Sequence, residues 1–235
     1  MRCRIRTTGG SAGQVVEPPG FTLIELLVVM AIISILLVVV SPMVTGVNRG
    51  RNVASGAYGV HDLLQYARSE AMARNTYTWV GFANLPTTSP SNKSGGYQMV
   101  AAAFCSQDGT ANAGKSLISS LVKPARFTNI KLTSLAGINA DVKGQMDSST
   151  ELSVASQTSP KSLPVIVGVT FQYTVTFTPQ GLAMLKAEPT LKDGFDEALD
   201  LGLIPMTGDR EMSGPNDVCI RVSGASGNSH IYRLR

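Results

Sequence analysis

The chain has 235 residues, 43% of them hydrophobic and 15% charged, with a formal net charge of +4. That length accommodates one domain of ordinary size, or one domain with an anchor. No element gathers Lys and Arg with aromatic residues between them, which excludes a nucleic-acid footprint, and the Gly-, Ser-, Thr- and Asn-rich remainder suits an exported β-rich domain better than a helical cytosolic enzyme.

Residues 1–20 carry Arg2, Arg4 and Arg6, one acid, Glu17, and no apolar core. Their loss would leave a net charge of +2, so the basicity belongs partly to this leader. From Phe21 to Val40 the chain is apolar-rich over 20 residues, a helical rise of about 30 Å that matches a bilayer core. The arginines ahead of this run, against only Arg49 and Arg51 soon after it, favour a cytoplasmic leader and an exported C-terminal part. Val38-Val39-Val40-Ser41-Pro42 does not form the small-residue cleavage site of a secretory signal. A plain anchor, however, leaves Glu25 unexplained. It lies inside the run, where a carboxylate costs on the order of 2.5–3.5 kcal/mol near a helix centre. Phe21 precedes it by four residues, one turn along the same helix face. Pro42 removes a helical hydrogen bond and marks a kink.

Beyond Pro42, the residues Val53, Ala57, Val60, Leu64, Ala67 and Ala71 recur at spacings of four and three, one apolar face of a helix. Asp62, Gln65, Arg68 and Ser69 fall on the opposite face. The pattern predicts one long, bent helix from Phe21 to Arg74, with Gly50, Gly56 and Gly59 as weak points. After Asn75 a period of two takes over. Strands are expected at Thr76–Phe82 and Tyr97–Phe104, then at Lys115–Val122 and Arg126–Leu132. Ser134–Pro160 is poor in apolar residues and reads as an exposed insertion. Phe171–Thr178 alternates apolar and polar residues and ends at Pro179-Gln180-Gly181. Ala187–Pro215 departs from the compact pattern. Asp217–Ser223 and Ser229–Leu234 form a hairpin, with Val218, Ile220 and Val222 facing one way and Cys219 and Arg221 the other. A long helix followed by antiparallel strands is an α+β arrangement.

Gly20-Phe21-Thr22-Leu23-Ile24-Glu25, at the head of a long apolar helix, resembles the cleavage and methylation signature of type IV prepilins and type II secretion pseudopilins. The resemblance implies cleavage between Gly20 and Phe21 by a prepilin peptidase, N-methylation of Phe21, and retention of the helix. It also gives Glu25 a role: its carboxylate would meet the Phe21 amine of a neighbouring subunit, offsetting the burial of both charges and setting filament register. The stretches "ARSEAMARN", "FTPQG" and "CIRVSGASGNSHIYRL" are similar to minor pseudopilin H and FimT-like heads. The chain also resembles the Verru_Chthon cassette protein D group of prepilin-like proteins. The implied plan is a removed leader, 1–20; a transmembrane and filament-core helix, 21–42; its amphipathic continuation, 43–75; and a periplasmic β-rich head, 76–235, in a pilin-like fold. The implied partners are the prepilin peptidase/N-methyltransferase, other pilins or pseudopilins, and cytoplasmic membrane lipid. The implied function is structural, that of a minor pseudopilin or minor pilin.

Little in the head announces chemistry. His61 and His230 are the two histidines. His61 points about 100° away from neighbouring Asp62 on a helix, and His230 follows Ser229 without a G-x-S-x-G elbow. No C-x-x-C or H-x-x-x-H pair, Walker lysine motif or dinucleotide glycine fingerprint occurs, so no metal or cofactor is expected. The acidic run Asp193–Asp200 lacks EF-hand spacing and reads as a solvated loop or helix start. Trp79 is expected to pack in the sheet. Without Cys3 of the leader, Cys105 and Cys219 remain, either as a disulfide or as two buried thiols. The competing reading is a single-pass, membrane-anchored exported protein with a ligand-binding or enzymatic head.

Overall fold

A computed structural model describes residues 22–92, 95–146, 151–189 and 198–234, with side chains except at 38–49 and 151. In chain order these form α1 (Leu23–Arg74), β1 (Thr78–Leu85), β2 (Gln98–Ser106), β3 (Ile118–Ser120), β4 (Ala125–Thr128), β5 (Ile130–Thr133), α2 (Ala140–Lys143), β6 (Glu151–Ser153), β7 (Tyr173–Phe177), β8 (Ala183–Met184), β9 (Ala198–Thr207), β10 (Arg210–Glu211), β11 (Val218–Ser223) and β12 (Ser229–Arg233). Two compact units divide the chain, Met1–Val44 and Thr45–Arg235. In the first, α1 is exposed at every described side chain.

In the second unit, the helix ends as its sequence directs. Asn75 takes a positive φ of 50°, the Asn75 amide donates to the Met72 carbonyl, and the Thr76 amide reaches back to Ala71. That pair of bonds is a Schellman motif, which satisfies carbonyls the last turn would otherwise leave open. The predicted stripe is the buried face: Val53, Ala57, Val60, Leu64, Ala67 and Ala71 are all 0–1% exposed.

Two sheets receive this face. The first runs β3-β2-β1-β7-β8, with β4 also on β2; the second runs β10-β9-β11-β12, with β5 and β6 also on β9. All pairings are antiparallel except β6 with β9. The helix stripe forms one core with Val80 and Phe82 of β1, Ala101 and Ala103 of β2, Leu199, Leu201 and Leu203 of β9, and Val218, Ile220 and Val222 of β11. The alternate residues of β1 and β2, Trp79, Ala83, Val100, Ala102 and Phe104, make a second core under Leu163, Val169 and Phe171. The fold is thus α+β and pilin-like, a long helix packed on antiparallel sheet.

Several sequence expectations change in detail. Arg126–Leu132 is two strands, because Asn129 adopts φ 59°, a region Asn tolerates better than most residues. Its amide donates to Tyr97 on the side of the first sheet, and its carbonyl accepts from Met206 of the second. The chain crosses between sheets at this residue. Nearby, the Asn84 side chain donates to the Leu132 carbonyl at 2.9 Å and accepts from the Leu132 amide at 3.0 Å, imitating a strand partner. Ser134–Pro160 is more ordered than an exposed insertion: it supplies α2 and β6 and buries Ile138, Val142 and Val154, while residues 147–150 lie outside those described. The pattern break at Ala187–Pro215 conceals β9, a strand with nine of its ten residues buried. Gly56 and Gly59 are points of close approach as well as low propensity: a Cβ at Gly56 would strike Ile130, and one at Gly59 would lie 2.8 Å from Phe127.

Leu64→Ala is expected to cost about 2–5 kcal/mol in denaturant unfolding, from lost burial plus cavity. Asp62→Ala, on the exposed face, should stay within about 0.5 kcal/mol.

Candidate assembly site

Gly20 and Phe21 lie outside the described residues, so the site opens at Thr22. The Thr22 amide and hydroxyl donate to Glu25 Oε2 at 3.0 and 2.8 Å, and the Glu25 amide donates to Thr22 Oγ1 at 3.3 Å. This is a capping box, which closes open amides at the start of α1 reciprocally. The T-x-x-E spelling of such a box stands in Thr22-Leu23-Ile24-Glu25. Glu25 Oε2 takes both Thr22 donors.

The helix that follows is apolar all round. Leu23, Ile24, Leu27, Ile35 and Leu37 are 61–82% exposed, and the Ser34 hydroxyl donates to the Met30 carbonyl at 2.8 Å, hiding its polarity within the helix. Such a helix belongs inside an apolar medium or a bundle. Among the described residues, no helix is long and apolar enough to cross a membrane; side-chain description stops at Leu37, whereas the apolar run in sequence reaches Val40. The helix continues through Pro42.

In the head, polar groups tie elements together. Ser229 Oγ lies 2.6 Å from His61 Nδ1 and accepts from Gln65 Nε2 at 2.9 Å. Neither His61 with Asp62 nor His230 with Ser229 is the relevant pair. Residues 168 positions apart meet instead, which adjacency in sequence could not reveal. Ser229 is buried, 6% exposed, so the hydroxyl fastens β12 to α1 rather than facing a substrate. Arg221 spans Asp200 with two bonds of 2.9 Å, both residues buried and opposite each other on β11 and β9. Of the acidic run, residues 193–197 lie outside those described. Lys161, also buried, donates to the Ala111 carbonyl and Glu188 and sits 5.4 Å from the Trp79 ring centroid. Among the described residues, no group of three or more His, Cys, Asp or Glu could hold a metal.

The cysteines resolve against a disulfide. Cys105 in β2 and Cys219 in β11 belong to different sheets and both are buried thiols. Cys105 Sγ contacts Ser119 Oγ at 3.1 Å, while Cys219 packs with Ile204 and Met206.

Among the described residues, three ionisable groups at loops and sheet ends are shifted. Hydrogen bonds from the Thr87 hydroxyl and amide hold the Asp209 carboxyl below its usual 3.8. The Ser106 hydroxyl and the Thr110 amide do the same for Asp108. Burial, aided by Glu211 and Asp209, pushes the Tyr97 hydroxyl up to about 12.

Two family models match the chain. Residues 19–41 match the prokaryotic N-terminal methylation motif, a stretch that contains Gly20, Phe21 and Glu25. Residues 59–226, more than half of the chain, match type II transport protein GspH. The chain belongs to the GspH family. Neither the comparison with curated proteins nor that with solved structures finds a match. Within the GspH match lie most of the helix stripe, both sheets up to β11, and the His61 and Gln65 side of the Ser229 junction. The chain is therefore a pseudopilin by family, with a methylation motif at the start of its apolar helix.

Ser229→Ala leaves His61 and Gln65 without their shared partner, and a loss of about 1–3 kcal/mol is expected in chemical denaturation. The Asp209 shift predicts an acid-side effect. Its folded value is depressed, so its stabilisation is present above 3.8 and is lost as pH falls through the lower folded value. In carboxyl-detected NMR titration, Thr87→Val should move the Asp209 midpoint up towards 3.8.

Proposed function

We propose that this chain is a minor pseudopilin or minor pilin, a structural subunit of a type II secretion or type IV pilus-like filament. The reading rests on one conjunction: a methylation motif matched at 19–41, and a helix over 22–37 that is apolar and exposed on every side. An apolar surface of that extent needs lipid or other helices around it.

In this reading, residues 1–20 are the cytoplasmic leader that the prepilin peptidase removes after Gly20, and Phe21 is then N-methylated. Residues 21–42 hold the subunit in the bacterial inner membrane and later enter the filament core, with Pro42 as the bend. Residues 43–75 continue the helix, and 76–235 form the periplasmic head. Packing against other pilins or pseudopilins draws the subunit out of the lipid. The head works by contact and carries out no reaction.

The capping box refines the role of Glu25. Before assembly, Thr22 hydrogen bonds lower the cost of keeping the carboxylate in an apolar setting. Both bonds fall on Oε2, so Oε1 is the oxygen placed to receive the Phe21 amine of a neighbour. The local bonds support the unassembled subunit, and the charge supports the filament.

Intact-mass analysis of the membrane form should show loss of residues 1–20 and gain of one methyl group. An intact leader in cells holding a prepilin peptidase would refute the assignment. Glu25→Gln keeps an acceptor for Thr22 but removes the charge. It is expected to keep membrane insertion and lose most filament incorporation, as Glu25→Leu should. Wild-type assembly by both variants would end the charge-pairing argument.

A further inference from the structure

One edge of the head carries a built groove. It lies between the β3–β4 connection and the turn at Ile166–Val169, with a volume of about 710 Å³. Leu121, Val122, Ile166 and Val167 supply apolar walls, Lys123 and Arg126 supply charge, and no acid lines it. Arg126 is held in place through Nη1 by the Ser91 carbonyl and Gln98 Oε1 at 3.2 and 3.1 Å. Beside the groove the first sheet ends: among the described residues, β3 and β4 pair with β2 on one side and with no strand on the other. An open edge of this kind is a template for an added strand.

The turn at the rim is strained. Ile166 and Val169 pair as a two-residue hairpin, and its central residues Val167 and Gly168 have φ of 51° and 74°. Two positive φ values are the type I′ pattern, for which Asn-Gly is the favoured spelling. Val167 is β-branched, so this conformation is costly for it, and the side chain is 69% exposed. Val167 buries little surface in return. Strain held at an exposed rim points to a contact made outside the chain.

We propose that this groove docks an extended, acidic segment of a partner protein, which adds to the β3/β4 edge while alternate apolar side chains enter between Val122 and Val167. Charge decides the occupant. The lining is cationic without a compensating acid, which favours an acidic strand over a basic one. The inference goes beyond filament membership and does not depend on processing at Gly20. A cleaved, methylated chain that failed the test below would lose the docking site alone.

The test uses the full chain in phosphatidylcholine nanodiscs and a fluorescent, end-blocked octapeptide of alternating valine and aspartate, with empty nanodiscs as blank. By anisotropy it should bind about tenfold more tightly than its valine–lysine counterpart, and Lys123→Glu should narrow or invert that preference. Val167→Asn is the sharper variant, because it relieves the turn. It should raise the thermal unfolding midpoint while weakening the acidic peptide by about fivefold. Equal binding of the two peptides would overturn the proposal, as would a Val167→Asn protein that is more stable and binds unchanged. Concentration-dependent self-association that the peptide displaces would assign the groove to a second copy and overturn the partner assignment too.

Discussion

The head depends on a single constraint: the apolar face of α1 from Val53 to Ala71 must be covered, and two sheets share the task. Each fully buried Val or Leu on that face contributes about 1.5–3 kcal/mol relative to exposure, and the inner faces of both sheets join the same core. The small residues explain how closely the parts meet. Ala57, Ala67 and Ala71 on the helix share one cluster with Ala101 and Ala103 of β2, and Gly56 and Gly59 admit Ile130 and Phe127 where a Cβ would exclude them. Helix propensity is given up at these glycines in return for contact.

The polar links follow from that arrangement. Once two sheets close on one helix, backbone groups at their meeting line need partners. Asn84 supplies both a donor and an acceptor to Leu132, and Asn129 carries the chain across with one bond to either side. Ser229, His61 and Gln65 fasten the C-terminal hairpin to the helix, and Asp200 with Arg221 locks β9 to β11 behind it. A buried ion pair of this kind is stronger evidence for strand register than for net stability.

The N-terminal stretch of the same helix obeys a different rule. Its residues are apolar on all sides, so no single face selects a partner, and the polar groups within it are answered locally: Ser34 by Met30, Glu25 by Thr22. This division fits a pseudopilin of the GspH family, in which one element must serve both an apolar environment and a folded head.

The periodic parts of the chain were legible in advance. The stripe Val53–Ala71, the alternation in Tyr173–Phe177 and the terminal hairpin were readable because burial imposes a period of 3.6 or 2 on a single continuous segment. Glu25 stood out for a related reason, since an acid in an apolar run breaks the local rule, whereas Gly20 and Phe21 were marked by their resemblance to a prepilin signature. β9 was hidden: its sequence, ALDLGLIPMT, mixes Asp, Gly and Pro into a strand, and the buried Asp200 is answered there by Arg221 opposite it. The crossing at Asn129, the His61–Ser229 contact and the separation of Cys105 from Cys219 were likewise beyond sequence. Each depends on which distant strand becomes a neighbour, and a linear pattern carries no information about that choice. Sequence by itself determined the helix, its two characters and the methylation motif at 19–41, because these are properties of adjacent residues. Tertiary structure alone decided the sheet order, the polar joints and the strained rim at Val167, because these arise only when remote backbone and side-chain groups compete for the same partners.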